Sequence, residues 1–234
     1  VYASRGDPNE VAGEFGSQAL YKMLGFFSLI GLCRLHCLLG DYYQSLKVLE
    51  HIDVSKQEMY SQVQTCHITT GYYVGVSYMM MRRYEDAIRS FASTLVYVQR
   101  AKSNITQYKS DVLEYVTKQS EQMATLLAIC LTLHPMRVDE TVHQLLKEKF
   151  ADKMIRLQKM ELQEFENSFT YGCPKFLSPI PPNYDMHNMN YHLEPQQQQT
   201  KIFMEEIKQQ VAVPNLRSFL KLYTTLPISK LAAF

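Results

Sequence analysis

The chain has 234 residues, 46% of them hydrophobic, and 24 Lys and Arg against 23 Asp and Glu for a formal net charge of +1. That balance gives no overall field to draw the chain onto nucleic acid or an acidic membrane, and the apolar fraction suffices for a buried core of one or two domains. The glycines spell no phosphate-cradling G-x-G-x-x-G or G-x-x-x-x-G-K-[ST], and neither G-x-S-x-G nor H-E-x-x-H occurs, so the sequence reads as a non-enzyme without a cofactor, metal or small-molecule substrate.

Apolar periodicity predicts helices near 10–39, 41–52, 57–81, 84–102, 110–133, 137–147 and 148–167, paired as hairpins. The most apolar stretch, Met23 to Cys33, covers 11 residues. A bilayer crossing needs about 20, so this is a buried helix and no membrane partner is expected.

Two stretches repeat one another, Leu38-Leu39-Gly40-Asp41-Tyr42 through Leu49 and Met80-Met81-Arg82-Arg83-Tyr84 through Phe91. Each ends one apolar helix, turns a polar corner and opens a second helix, the pattern of a tetratricopeptide hairpin. In the second copy Gly75 and Ala87 are small where antiparallel helices cross, and Tyr78, Tyr84 and Phe91 are expected to fill the gap between that hairpin and its neighbour. Cys33, His36 and Ser45 stand at the positions of Gly75, Tyr78 and Ala87 in the weaker first copy. The copies are 42 residues apart, beyond the roughly 34 of a regular unit, so the hairpins are expected to be irregular. The fold class expected is all-α, a right-handed arc of tetratricopeptide-like hairpins, with Gly40, Tyr42, Gly75, Tyr78, Tyr84, Ala87 and Phe91 as its structural signature. A third copy is expected to run through Gln122 to Ala128, turn at Pro135 and resume over Val138 to Leu146.

Side chains with other potential have plainer readings. The five cysteines form no C-x-x-C and read as small core residues, although Cys33 and Cys37 share a helix face. Lys147, Lys149, Lys153, Arg156 and Lys159 alternate with Glu148, Asp152 and Glu161, the pattern of a solvated face with i,i+4 pairs. Met79 to Met81 point in different directions around a helix, which favours packing over a shared peptide groove. For RNA, a basic stripe interleaved with exposed aromatics is required, and the spread of Arg34, Lys102, Lys109 and Lys118 makes none along the chain.

After Phe169 the composition shifts to a proline-rich stretch, Cys173-Pro174-Lys175-Phe176-Leu177-Ser178-Pro179-Ile180-Pro181-Pro182, then to Asn, His, Tyr and Gln. Its apolar anchors favour an extended segment over 169–200 laid along a helical surface. His187 and His192 with Asp185 and Glu194 form a close cluster, but no regular spacing fixes them as metal ligands. Candidate partner contacts are Arg82 and Arg83 at the second corner and Phe176, Leu177 and Tyr184 in the loop. Further helices follow over Ile202 to Lys208 and Leu216 to Tyr223, which divides the chain into a repeat region (1–168), a loop (169–200) and a final segment (201–234).

The run Arg217 to Ala232 resembles the opening of a PCI module, the helical-repeat-plus-winged-helix unit of large assemblies. Leu20-Tyr21-Lys22-Met23-Leu24-Gly25, the two repeat corners, Cys173 to Pro179 and Ser218 to Pro227 resemble the subunit l family of eukaryotic translation initiation factor three. The resemblance implies a cytoplasmic, non-catalytic scaffold that assembles with other subunits of the factor through PCI-type interfaces and, within the complex, binds the small ribosomal subunit and supports mRNA recruitment. Direct RNA contact stays open. On this reading 228–234 begins a truncated winged helix, and the chain is a piece of a longer protein. The alternative is a tetratricopeptide-type adaptor that binds a peptide with Arg82, Arg83 and Arg89.

Overall fold

Apolar residues at helical spacing form helices throughout, and no strand occurs among the described residues, so the fold is all-α. The computed structural model describes residues 10, 12–50, 52, 63–105, 110–181, 193–225 and 227–232. A 3₁₀ turn (Gly13–Ser17) leads into α1 (Ala19–Leu38), α2 (Tyr42–Val48), α3 (Gln64–Met80), α4 (Tyr84–Ile105) and α5 (Ser110–Leu133). There follow α6 (Glu140–Lys149), α7 (Ala151–Gln158), α8 (Leu162–Gly172), α9 (Glu194–Gln210), α10 (Val213–Leu222) and α11 (Ile228–Leu231).

The first two hairpins, α1/α2 and α3/α4, stack through α3, and α5 lies against α3, α4, α7 and α8. Every residue from Met123 to Cys130 is buried. A helix apolar on all sides has to be enclosed on all sides, and α8 with α9 packed behind it completes that enclosure. The approach of α8 is close because Gly172 has no side chain: a Cβ there would come within 2.8 Å of Leu126. Arg217 of α10 donates to the Leu133 carbonyl at 2.9 Å, satisfying an orphan acceptor at the end of α5.

The second hairpin closes on two glycines one turn apart. A Cβ at Gly75 would run into the Phe91 ring, and one at Gly71 into the Thr94 side chain. Phe91 is therefore packed inside its own hairpin, not between hairpins as its spacing suggested, because Gly75 leaves the space its ring fills. Ala87 is fully buried beside it, while Tyr78 and Tyr84 are half-buried at the edge. In the first hairpin Cys33 and Ser45 use hydrogen bonds where the second uses glycine and alanine. The Ser45 hydroxyl donates to the Cys33 carbonyl at 2.9 Å, and the Ser77 hydroxyl donates to Ser45 at 3.2 Å, which ties one hairpin to the next.

Both corners share one backbone solution. Gly40 (φ 83°) and Arg82 (φ 63°) are left-handed; Gly40 N–H donates to Cys37 and Asp41 N–H to His36, as Arg82 N–H does to Met79 and Arg83 N–H to Tyr78. This is the Schellman motif. It recurs at Met160 (φ 57°), where Met160 N–H donates to Leu157 and Glu161 N–H to Arg156.

Two expectations are corrected in this part of the chain. The helix expected over 148–167 is broken into α7 and α8, with neither glycine nor proline to signal the break. The third repeat expected across Pro135 does not close as a hairpin, since α6 packs on α4 and α7 instead of returning onto α5. Its apolar stripe is real, with Val142 and Leu146 buried. The expected extended stretch is also shorter: α8 continues to Gly172, and α9 starts at Glu194 with Pro195 in its first turn, where proline costs no hydrogen bond. Asp185, His187, His192 and the expected helical residues 57–62 lie outside the described residues. In the basic run, Arg156 reaches Glu164 at 3.5 Å, and Lys153 sits over the rings of Phe150 and Tyr171.

Gly75→Leu should force α3 and α4 apart and lower stability by about 1–3 kcal/mol or more. Gly31 on α1, where a Cβ meets nothing within 4 Å, is the control. Gly31→Ala should leave stability unchanged or raise it by up to about 1 kcal/mol. Urea unfolding followed by circular dichroism compares the two; equal losses would refute the crossing described here.

Candidate interaction surface

Both repeat corners meet α9. The Tyr42 hydroxyl donates to Gln199 Oε1 at 2.7 Å, and a Cβ on Gly40 would stand 3.2 Å from Gln199 Nε2. At the second corner Arg82 lies 2.7 Å from the Glu206 carboxylate, off the hydrogen-bonding direction, with the Glu206 side chain 9% exposed. Gln199 and Glu206 are two helical turns apart, about 10 Å along one face of α9. Between them Phe203 stacks on Phe169 of α8 at 4.2 Å and 10°. Thus one helix touches both corners. Burial, with the Glu206 carboxylate next, pushes the Tyr84 phenol well above its ordinary range.

Of the candidate partner contacts, the structure uses Arg82 internally. Arg83 lies 2.6 Å from Asp86 and 4.7 Å from the centre of the Tyr78 ring, and Arg89 pairs with Glu85. The three arginines of the adaptor reading thus all have carboxylate partners within the chain. In the loop Phe176 is buried, and the adjacent Leu177 is 47% exposed. The Leu177 N–H donates to the Leu38 carbonyl at 2.8 Å, so the loop lies along the helical surface at that point, and the Tyr72 hydroxyl donates to the Gly172 carbonyl at the end of α8 at 2.7 Å, where the loop begins. Tyr184 lies outside the described residues.

What sequence reasoning missed is the Gln-rich first half of α9, before the helix expected from Ile202, and the outer face of α1. Leu20, Leu24, Leu32 and Leu35 project from that face, 40–63% exposed, with Phe15 edge-on to Tyr21 at 5.0 Å. The spacing of these leucines was available in the sequence, but it reads equally well as a core stripe.

The family model described as RNA polymerase I-associated factor PAF67 matches residues 1–234. The chain belongs to the Paf67 family. It is 59% identical over 234 residues to a protein of Danio rerio named eukaryotic translation initiation factor 3 subunit L, and 58% identical over 236 residues to the proteins of that name in Xenopus laevis and Homo sapiens. Each alignment takes in 100% of this chain and 40%, 42% and 41% of the three relatives, so the chain spans about two fifths of their length. Among the described residues of this Paf67-family chain, no helix is long and apolar enough to cross a membrane.

In this family member Cys33, Cys37, Cys130 and Cys173 are core residues, and Cys66 is half-buried against the core. Burial pushes the Cys37 and Cys173 thiols up to about 12 and Cys66 to about 11, from a usual 9.0. The unfolded chain loses these protons near pH 9 while the folded chain keeps them. Stability from the neutral thiols is therefore complete below pH 9 and falls as pH rises toward 12. The urea midpoint should lose height across that window; a midpoint that rises there would contradict the placement of these thiols.

The Arg82 corner separates backbone from charge. Arg82→Ala and Arg82→Gly both remove the ion pair with Glu206, but only glycine relieves the left-handed φ, so the glycine variant should be the more stable by about 1 kcal/mol. Equal unfolding midpoints would show that the corner carries no strain.

Proposed function

We propose that this chain is part of a non-catalytic architectural subunit of eukaryotic translation initiation factor three. The observation that carries the reading is identity of 58–59% along the whole chain to proteins named as subunit L of that factor. The fold supports it: hairpins stacked in series are a means of placing surfaces at fixed separations, and the leucine face of α1 is a large apolar area of the kind that marks an interaction surface. In this reading the subunit acts in the cytoplasm, joins other subunits through PCI-type interfaces that begin near 228, and supports assembly on the small ribosomal subunit and mRNA recruitment. The repeat region (1–168) and final segment (201–234) act as one frame joined by the loop between them, and Arg82, Arg83 and Leu177 are the described candidate contacts that reach solvent.

The full-length protein, purified under an affinity tag with and without nuclease and at two salt concentrations, tests this. Other subunits of the initiation factor should stay bound in fixed ratio after nuclease and high salt. Recovery with RNA polymerase I in place of those subunits, or only of material that nuclease removes, would overturn the proposal.

A further inference from the structure

Three cations that lie far apart in the sequence converge. Arg34 of α1, Lys118 of α5 and Lys175 of the loop after α8 line one cleft of about 320 Å³, with Tyr73, Tyr115 and Gln119. No carboxylate lines it among the described residues. Arg34 lies 5.7 Å from the centre of the Tyr73 ring, and none of the three cations forms an ion pair among the described residues. The arginines at the second corner are the opposite case, each neutralised by a carboxylate of this chain. Gln119 is 5% exposed, and its Oε1 meets no hydrogen-bond donor from the described residues. A buried acceptor without a donor is a costly arrangement, and an incoming N–H would relieve it once the Gln119 side chain turns into the cleft.

The cleft continues past Arg34 and Tyr115 into a second groove of about 570 Å³, where Phe27, Ile30 and Val112 supply apolar walls and Asp111 is the sole carboxylate among the described lining residues. A ligand that follows both parts therefore needs negative charge at one end, apolar groups at the other and N–H donors along its length. We infer that this cleft binds an extended acidic segment of a partner protein, its carboxylates on Arg34, Lys118 and Lys175 and its apolar side chains in the adjoining groove.

A peptide supplies all three requirements at once, since its backbone N–H groups accompany its side chains. Single-stranded RNA matches the charge but not the walls. Nucleic-acid platforms present several open aromatic faces for base stacking. Here Tyr72 and Tyr73 are buried, and only Tyr115 is exposed, its hydroxyl within 3.1 Å of Thr69. The inference stands apart from the assembly role proposed above, because it concerns what this cleft binds, whichever complex the protein joins.

The test uses the full-length protein and fluorescence anisotropy with a labelled Glu/Leu peptide, its Gln/Leu counterpart and a labelled poly-uridine RNA. The Glu/Leu peptide should bind in a salt-sensitive way. Reversing two exposed charges with Lys118→Glu and Lys175→Glu together should weaken that binding by about tenfold or more, with the circular dichroism spectrum unchanged. Failure of the Glu/Leu peptide to bind, equal binding of the Gln/Leu peptide, or indifference to both substitutions would overturn the proposal. So would preferential binding of poly-uridine through the same lysines, which would make the cleft a nucleic-acid site.

Discussion

The enclosure of α5 is the constraint on which the other helices depend. From Met123 to Cys130 it has no exposed position, so a covering layer is required on every side. The repeat hairpin α3/α4 supplies one side, α7 and α8 another, and the chain has to travel through the proline-rich loop before α9 can pack behind α8. Gly172 sits where that return would otherwise clash with Leu126. The loop is thus held in place by the core it helps to complete: Phe176 is buried, and Leu177 is hydrogen-bonded to the end of α1.

Charge is distributed in two ways across this frame. At the second corner Arg82, Arg83 and Arg89 each meet a carboxylate from the same chain, and two of these pairs lie within one helix or at its start. Exposed pairs of that kind contribute little to stability, but they leave the surface electrically quiet. Along the cleft between α1, α5 and the loop the cations have no such partners among the described residues. A chain with a net charge of +1 can therefore carry a concentrated positive site, because neutrality over the whole sequence says nothing about how charges gather in the fold.

The parts of this structure legible in the sequence were those with a local signal. Gly40-Asp41 and Arg82-Arg83 announced the corners by repeating one another, and Gly75 with Ala87 marked the crossing of α3 and α4. Where the signal is nonlocal, the sequence was silent. Met160 turns left-handed with no residue type to flag it, so α7 and α8 read as one helix. Phe91 was placed on the wrong side of its hairpin because spacing gives a direction around a helix, not the identity of the facing residue, which is Gly75. Gln196 to Gln199 looked like loop because α9 presents a polar face to the corners. The cleft could not be read at all, since Arg34, Lys118 and Lys175 are joined only by packing.

The contacts of α9 with both corners have a mechanical consequence. Stacks of hairpins in which each unit touches only its neighbours bend readily, as small changes at successive contacts add together. Here Gln199 and Glu206 hold the two corners at a spacing set by two turns of one helix, and a helix does not stretch without breaking hydrogen bonds. The pair of hairpins is therefore cross-tied at both corners by one helix, through a hydrogen bond at the first and an ion pair at the second.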